Sequence, residues 1–140
     1  MSPWLTNYIT VLESLSSADL PRLRACISED IKFKDPFNDT STQDEFIAIM
    51  DDMYSRLDNV HFKVHSSAEY EHEAFIEWTF YGESKLTGTF SFVGTSKLIS
   101  DQSGKITHHF DYWDGSALME KIPLIGFFIR QLRGRFSHKN

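Results

Sequence analysis

The chain has 140 residues, of which 41% are hydrophobic and 24% are charged. This is the composition of an ordinary globular protein, and it excludes a disordered or collagen-like chain. The 14 basic and 20 acidic residues give a formal net charge of −6, so we do not expect a nucleic-acid partner, which would require clustered positive charge. The single cysteine, Cys26, excludes an internal disulfide and a cysteine-based zinc site. We expect one domain over residues 1–140.

No segment of the sequence is typical of targeting or of a membrane anchor. The start of the chain lacks the basic region and apolar core of a secretion signal. The longest apolar run, Ile122 to Ile129, is far shorter than the ~20 residues of a membrane helix. We therefore expect a soluble, cytoplasmic protein.

Helical spacing of apolar residues dominates the first third of the chain. It predicts one helix up to residue 15 and a second, shorter helix over residues 17–27. Thr42 followed by Glu45 is a capping-box pattern. This pattern opens the clearest helix, which the apolar spacing continues to Leu57.

After Asp58 the apolar residues alternate with polar ones, as in half-buried strands. The alternation predicts four antiparallel strands, which lie near residues 60–65, 74–81, 86–99 and 105–113. A last helix is predicted after Pro123. Helices that are segregated from an antiparallel sheet define the α+β class.

Several chemistries lack their motifs in this sequence. There is no glycine-rich nucleotide loop and no G-x-S-x-G nucleophile elbow. His61 and His65 lie on a predicted strand, where four residues span about 13 Å, too far to share one metal ion. We expect neither a metal nor a cofactor.

The first chemically dense segment is Phe33-Lys34-Asp35-Pro36-Phe37. Proline favours an extended conformation in the residue before it, which would hold Asp35 at the mouth of a loop. The flanking aromatic rings would reduce the solvation of the carboxyl group and raise its pKa, as suits a general acid or base. The alternative is a turn in which Asp35 accepts backbone N–H bonds.

The second dense segment covers residues 108–114. Strand alternation places His109, Asp111 and Trp113 on one face. An imidazole and a carboxylate two positions apart form an acid/base pair. The alternative is an outward polar face on which Trp113 packs in a dimer contact.

Five features follow one another along the chain: the Asp35-Pro36 step, the helix over residues 43–57, Trp78, Gly104-Lys105-Ile106 and the run 109–114. In this order and spacing, they make the chain resemble the nuclear transport factor 2-like superfamily, in particular its SnoaL-like branch. The resemblance covers nearly the whole chain. It implies a cone, in which a curved antiparallel sheet wraps on the N-terminal helices, with a pocket in the open end.

The same resemblance implies site residues. Asp35 matches the proton-shuttling base of ketosteroid isomerase, a member of the superfamily. His109 and Asp111 fall on pocket-lining positions of that enzyme's last strand. We therefore predict that Asp35, His109 and Asp111 are catalytic.

The predicted pocket lies between the sheet and the helices. Its ligand-binding candidates are Tyr8, Met50, Met53, Tyr54, Trp78, Phe90, Ser96 and Trp113. Ser96 stands where ketosteroid isomerase has a protonated aspartate, and that enzyme's tyrosine falls nearest Val11, one turn after Tyr8. The alternative is a cone whose interior is filled by aromatic side chains.

Two classes of function follow from the resemblance. One is an isomerase, cyclase or dehydratase that moves a proton next to a carbonyl of a mostly apolar substrate. The other is a non-catalytic ligand-binding or dimerisation module of the same fold.

The expected partners are an apolar small molecule and a second copy of the chain. Aromatic residues on the outer, convex face of the sheet predict a homodimer through that face; they are Phe75, Tyr81, Phe110 and Tyr112. The basic residues after Lys121 lie on the predicted last helix, which we expect to pack over the open end of the cone rather than to contact a membrane.

Overall fold

A computed structural model of the chain describes residues 1–85 and 88–116. Its helices are α1 (Pro3–Ser14), α2 (Leu20–Cys26, after a 3-10 turn at Ser17–Asp19) and α3 (Gln43–Arg56). Its strands are β1 (Ile27–Lys34), β2 (Asp39–Thr40), β3 (Asp58–Tyr70), β4 (Glu73–Ser84), β5 (Gly88–Ser100) and β6 (Ile106–Tyr112). The predicted C-terminal helix lies outside the described residues.

Local chemistry explains where the helices begin. Pro3 occupies the first turn of α1, where its missing N–H breaks no hydrogen bond. α3 begins after Thr42, whose Oγ1 accepts a hydrogen bond from the backbone N–H of Glu45 at 3.2 Å. The Thr42 hydroxyl in turn donates to the Glu45 carboxylate at 2.8 Å. The predicted N-terminus of α3 is therefore confirmed.

The strands form one open sheet in the order β2-β1-β6-β5-β4-β3. β3 to β6 are an antiparallel meander, as the alternation predicted. β1 lies parallel to β6, with Phe33 opposite His109, so the sheet is mixed. The architecture is α+β, with the helices against one face of the sheet.

Two strands were missed by the sequence analysis. The predicted second helix was too long, because residue 27 already begins β1. A register shift between Ile27 and Lys32 interrupts the alternation of buried positions in β1, so the strand pattern is hidden in the sequence. β2 has only two residues, too few for any period.

The inner face of the sheet and the helices share one hydrophobic core. Fully buried side chains come from every layer: Leu5 and Tyr8 of α1, Leu23 of α2, Phe46 of α3, and Ile76, Leu98 and Ile106 of the sheet. The outer face leaves Phe75, Val93 and Tyr112 between 45% and 58% exposed.

None of the helices in the described ranges is long and apolar enough to span a bilayer. The expected compartment, the homodimer and the lack of a nucleic-acid partner stay predictions.

Candidate functional site

An open cavity lies between the helices and the inner face of the sheet, and its empty volume of about 380 Å³ includes open solvent at its mouth. Its described lining consists of Leu12, Phe33, Phe46, Met50, Phe62, Val64, Ile76, Trp78, Ser96, His109 and Asp111. Eight of these eleven residues are apolar or aromatic. Apolar walls with a few convergent polar groups are typical of small-molecule sites.

Two adjacent strands bring the polar groups of the cavity together. Ser96 on β5 lies directly opposite Asp111 on β6. His109 precedes Asp111 by two residues and therefore points to the same face of the sheet. The His109 side chain is 6% exposed, whereas the Asp111 side chain is 16% exposed.

A continuous hydrogen-bond network joins five side chains at this end of the cavity. The Tyr8 hydroxyl on α1 lies 2.7 Å from Nδ1 of His109, and Nε2 of His109 lies 2.7 Å from Oδ1 of Asp111. The Ser96 hydroxyl donates to the same Asp111 oxygen. The Trp78 indole N–H donates to Ser96 Oγ at 2.7 Å. All five were predicted site residues, and the structure brings them together.

Burial and the hydrogen-bond partners together indicate which atoms of this network carry protons. Burial, together with the negative charge of Asp111, raises the pKa of Tyr8 well above its ordinary value, so its hydroxyl stays protonated. Nδ1 of His109 is the acceptor within its reach. A neutral imidazole that accepts at Nδ1 carries its proton on Nε2 and donates it to Asp111. Asp111 Oδ1 thus receives two hydrogen bonds, and Oδ2 receives none from the described residues.

Gly94 makes room for the indole that closes the network. A Cβ atom at this position would lie 2.5 Å from Cη2 of Trp78, closer than real carbon atoms approach. Trp78 and Gly94 are opposite each other on β4 and β5. Only a residue without a side chain lets the ring lie across β5 and reach Ser96.

Asp35 lies apart from the cavity lining, in the loop between β1 and β2. Its Oδ1 accepts the backbone N–H groups of Phe37 at 2.8 Å and Asn38 at 2.7 Å, and the Asn38 amide at 3.1 Å. Burial raises the pKa of Asp35 to about 6, and the charge of Asp111 adds to this effect, while the hydrogen bonds from Phe37 and Asn38 oppose it. The geometry matches the turn alternative, and the raised pKa matches the expected loss of solvation.

The remaining candidates divide between the cavity and its surroundings. Met50 lines the cavity. Tyr54 donates a long 3.5 Å hydrogen bond to the Leu15 carbonyl, and Met53 packs against the core. Two aromatic candidates pack on other rings instead of lining the cavity: Phe90 against Phe80, and Trp113 against Phe37 and Phe92.

Several wall residues were not predicted. Phe33 and Phe46 stack with their ring centroids 4.5 Å apart, and each lies 5.5 Å from the His109 ring. Strand alternation could have found the unpredicted wall residues of β3 and β4, because they share the inner face with Trp78; these are Phe62, Val64 and Ile76. No sequence pattern could have identified the other three wall residues, because tertiary packing alone brings them to the cavity; they are Leu12, Phe33 and Phe46.

Within residues 1–85 and 88–116, no group of three or more histidine, cysteine, aspartate or glutamate side chains could hold a metal ion.

A family model that describes the SnoaL-like domain matches residues 8–109, which is well over half of the chain. The chain belongs to the SnoaL-like family. The matched segment begins at Tyr8 and ends at His109, the two residues joined by the first hydrogen bond of the network.

Solved structures share the fold of this SnoaL-like chain at low sequence identity. A hypothetical protein with a ketosteroid isomerase-like fold from Catenulispora acidiphila, in complex with trimethylamine, is 16% identical, with a TM-score of 0.74 over 89% of this chain and 95% of its own. A putative SnoaL-like polyketide cyclase from Jannaschia sp. is 9% identical, with a TM-score of 0.74 over 89% and 96%.

An LEH-like epoxide hydrolase from M. tuberculosis is 16% identical, with a TM-score of 0.68 over 93% of this chain and 91% of its own. No curated protein sequence matches the chain. At these identities the structural similarities establish the fold alone. The fold implied by the resemblance, that of the nuclear transport factor 2-like superfamily, is therefore confirmed.

Proposed function

We propose that this SnoaL-like chain binds a small, mostly apolar organic molecule in the cavity and transfers a proton at the His109–Asp111 pair. The observation that carries the proposal is the position of this pair. It lies at one end of an apolar cavity, and one Asp111 oxygen is left without a hydrogen bond from the described residues.

The proposed proton acceptor is Oδ2 of Asp111, which receives no hydrogen bond from the described residues. Ser96 and His109 hold the other oxygen, so the carboxylate keeps its orientation while Oδ2 faces a bound molecule. Isomerisation, cyclisation and dehydration next to a carbonyl all begin with removal of a proton from carbon, which a positioned carboxylate can perform. Asp35 is the proposed second acid/base group, because its pKa of about 6 lies near neutrality.

The experiment is a ligand screen followed by turnover measurements. Neutral carbonyl compounds and small amines are screened by thermal shift, amines being included because the Catenulispora structure contains trimethylamine. Hits are confirmed by the NMR shift of the Trp78 indole N–H, which lies in the cavity wall. With a substrate in hand, Asp111→Asn should lower turnover by about 10²-fold, the usual contribution of a positioned acid or base.

The matched control is Glu77→Gln, which removes the same charge from an exposed position on β4. We expect its turnover to equal that of the unmodified chain. Ligands that bind without moving the Trp78 resonance would place the site elsewhere. Equal turnover in Asp111→Asn and Glu77→Gln would remove the catalytic part of the proposal.

The second candidate is a non-catalytic module that dimerises, and the outer face of the sheet favours it. Phe75 and Tyr112 are 45% and 58% exposed, and Phe75 and Phe110 flank Lys97 across three strands. Exposed aromatic groups on one face are typical of association surfaces. We therefore propose a homodimer through the outer face.

Light scattering tests the dimer. The unmodified chain should have the mass of two copies, and Tyr112→Asp, which places a charge on the outer face, should shift it toward one copy. A single-copy mass for the unmodified chain at micromolar concentration contradicts the dimer.

A further inference from the structure

We infer that the cavity selects a small amine cation and that the charged nitrogen of this ligand faces Oδ2 of Asp111. The inference rests on the proposed pocket and not on the proposed proton transfer, because an ammonium group at Oδ2 would occupy the oxygen that the transfer uses as its base.

The hydrogen-bond donors at the polar end of the cavity all have acceptors within the protein. The Trp78 N–H donates a hydrogen bond to Ser96, and the Ser96 hydroxyl donates one to Asp111. The His109 Nε2–H also donates to Asp111, and the Tyr8 hydroxyl donates to His109. Each of these donors is already used inside the protein. What the network offers to a ligand is an acceptor, the second Asp111 oxygen.

The hydrogen bonds of the network also determine its charge. A doubly protonated His109 would point Nδ1–H at the Tyr8 oxygen and leave the Tyr8 hydroxyl proton without its acceptor, although Tyr8 is only 1% exposed. The neutral imidazole satisfies both groups. Asp111 then contributes one negative charge that is not balanced within the network. None of the eleven described lining residues is a lysine or an arginine.

The walls of the cavity favour a cation as well. Four aromatic rings line the same cavity: Phe33, Phe46, Phe62 and Trp78. Aromatic rings attract alkylammonium groups, and a carboxylate binds an N–H cation through a charge-assisted bond. A carbonyl oxygen placed at the same point would meet the lone pairs of Asp111 and find no donor. The apolar walls and the single anion thus fit an amine with short alkyl groups better than a neutral carbonyl group.

The experiment uses three probes of nearly the same shape and different charge. These are the tert-butylammonium cation, neutral tert-butanol and the pivalate anion, each titrated into the full chain at neutral pH. The reporter is the Trp78 indole N–H resonance, assigned with Trp78→Phe. We expect tert-butylammonium to bind about tenfold more tightly than tert-butanol, because charge-assisted bonds are about twice as strong as neutral ones. Pivalate should cause no saturable shift.

Asp111→Asn keeps the shape of the side chain and removes its charge, so the preference for the cation over tert-butanol should disappear. Glu77→Gln is the matched control, since it removes one charge from an exposed position, and it should keep the preference. If Asp111→Asn does not fold, the comparison of the three probes in the unmodified chain still shows whether the pocket prefers the cation.

The outcomes separate the two proposals. Equal or tighter binding of tert-butanol overturns the cation inference and leaves the pocket intact. A preference for the cation that survives in Asp111→Asn overturns the role of that carboxylate. Saturable shifts with none of the three probes overturn both the pocket and the inference.

Discussion

Asp35 and Asp111 are both partly buried carboxyl groups, but the protein holds them in different ways. The hydrogen bonds to Asp35 come from residues two and three positions later in its own loop. Those to Asp111 come from side chains on two strands, one of them 15 residues away, and continue to α1 through His109. Hydrogen bonds from nearby backbone N–H groups are typical of a turn, whereas side-chain donors that converge beside a cavity are typical of a binding site. This contrast makes Asp111 the stronger functional candidate.

The most severe test of the contrast removes the centre of the Asp111 network. His109→Leu keeps a similar volume, deprives Asp111 of one donor and leaves the buried Tyr8 hydroxyl without an acceptor. We expect a loss of about 3 kcal/mol in the free energy of unfolding, since orphaned buried polar groups are costly. Urea denaturation measures it.

A double-mutant cycle shows whether the loss arises from the network. Tyr8→Phe removes the orphaned hydroxyl, so it should cost less in the His109→Leu background than in the unmodified chain, with a coupling of about 1 kcal/mol or more. If the two changes are additive, the hydrogen bond between Tyr8 and His109 does not contribute to stability.

Asp35 gives the opposite result on substitution. Its pKa is raised from the ordinary 3.8 to about 6, so the folded protein binds this proton more tightly than the unfolded chain does. This contribution to stability is complete below about pH 4 and is lost as the pH rises through about 6. Asp35→Asn cannot ionise, so it should be more stable than the unmodified chain at pH 8, by up to about 3 kcal/mol.

The measurement is the free energy of unfolding of both proteins between pH 4 and pH 8, where the difference should grow with pH. Asp39→Asn is the control, because Asp39 is a nearby, exposed carboxylate on β2. A constant difference across this range would show that Asp35 is not held in a desolvated environment.

The same contrast explains what the sequence could predict. The α3 cap, the four-stranded meander and the shared face of His109 and Asp111 follow from spacing over a few residues, and all three are found in the structure. β1 was missed because an irregular register hides its alternation. The hydrogen bond between Tyr8 and His109 spans 101 residues, and the sequence predicted only that the two residues lie in the same pocket.

Three pocket candidates that rested on periodicity or on the resemblance are not among the described lining residues of the cavity: Met53, Tyr54 and Trp113. Trp113 shares the predicted face with Asp111, but it follows the end of β6 and packs on Phe37 and Phe92 rather than lining the cavity. Met53 and Tyr54 lie on the same face of α3 as Met50, one turn later, but of the three only Met50 is among the described lining residues of the cavity. Periodicity identifies the buried stripe of a helix, but which part of the stripe meets a cavity depends on how the helix packs on the sheet.

The mildest test removes a donor from Asp111 and leaves His109 in place. Ser96→Ala takes away one of the two hydrogen bonds to Oδ1 and the acceptor of the buried Trp78 N–H. We expect a loss of about 1–2 kcal/mol, mostly from the orphaned indole. The Trp78 N–H resonance should also move, because it loses its hydrogen bond.

Ser91→Ala is the control, because Ser91 lies on the exposed outer side of the same strand. It should change neither the free energy of unfolding nor the Trp78 N–H resonance. The Trp78 resonance is the sharper of the two measurements, because a serine that serves only as packing would change stability and leave the indole N–H unaffected. An unmoved resonance in Ser96→Ala would remove Ser96 from the network. The Asp111 carboxylate would then depend on His109 alone, and the contrast with Asp35 would be reduced to a single side-chain donor.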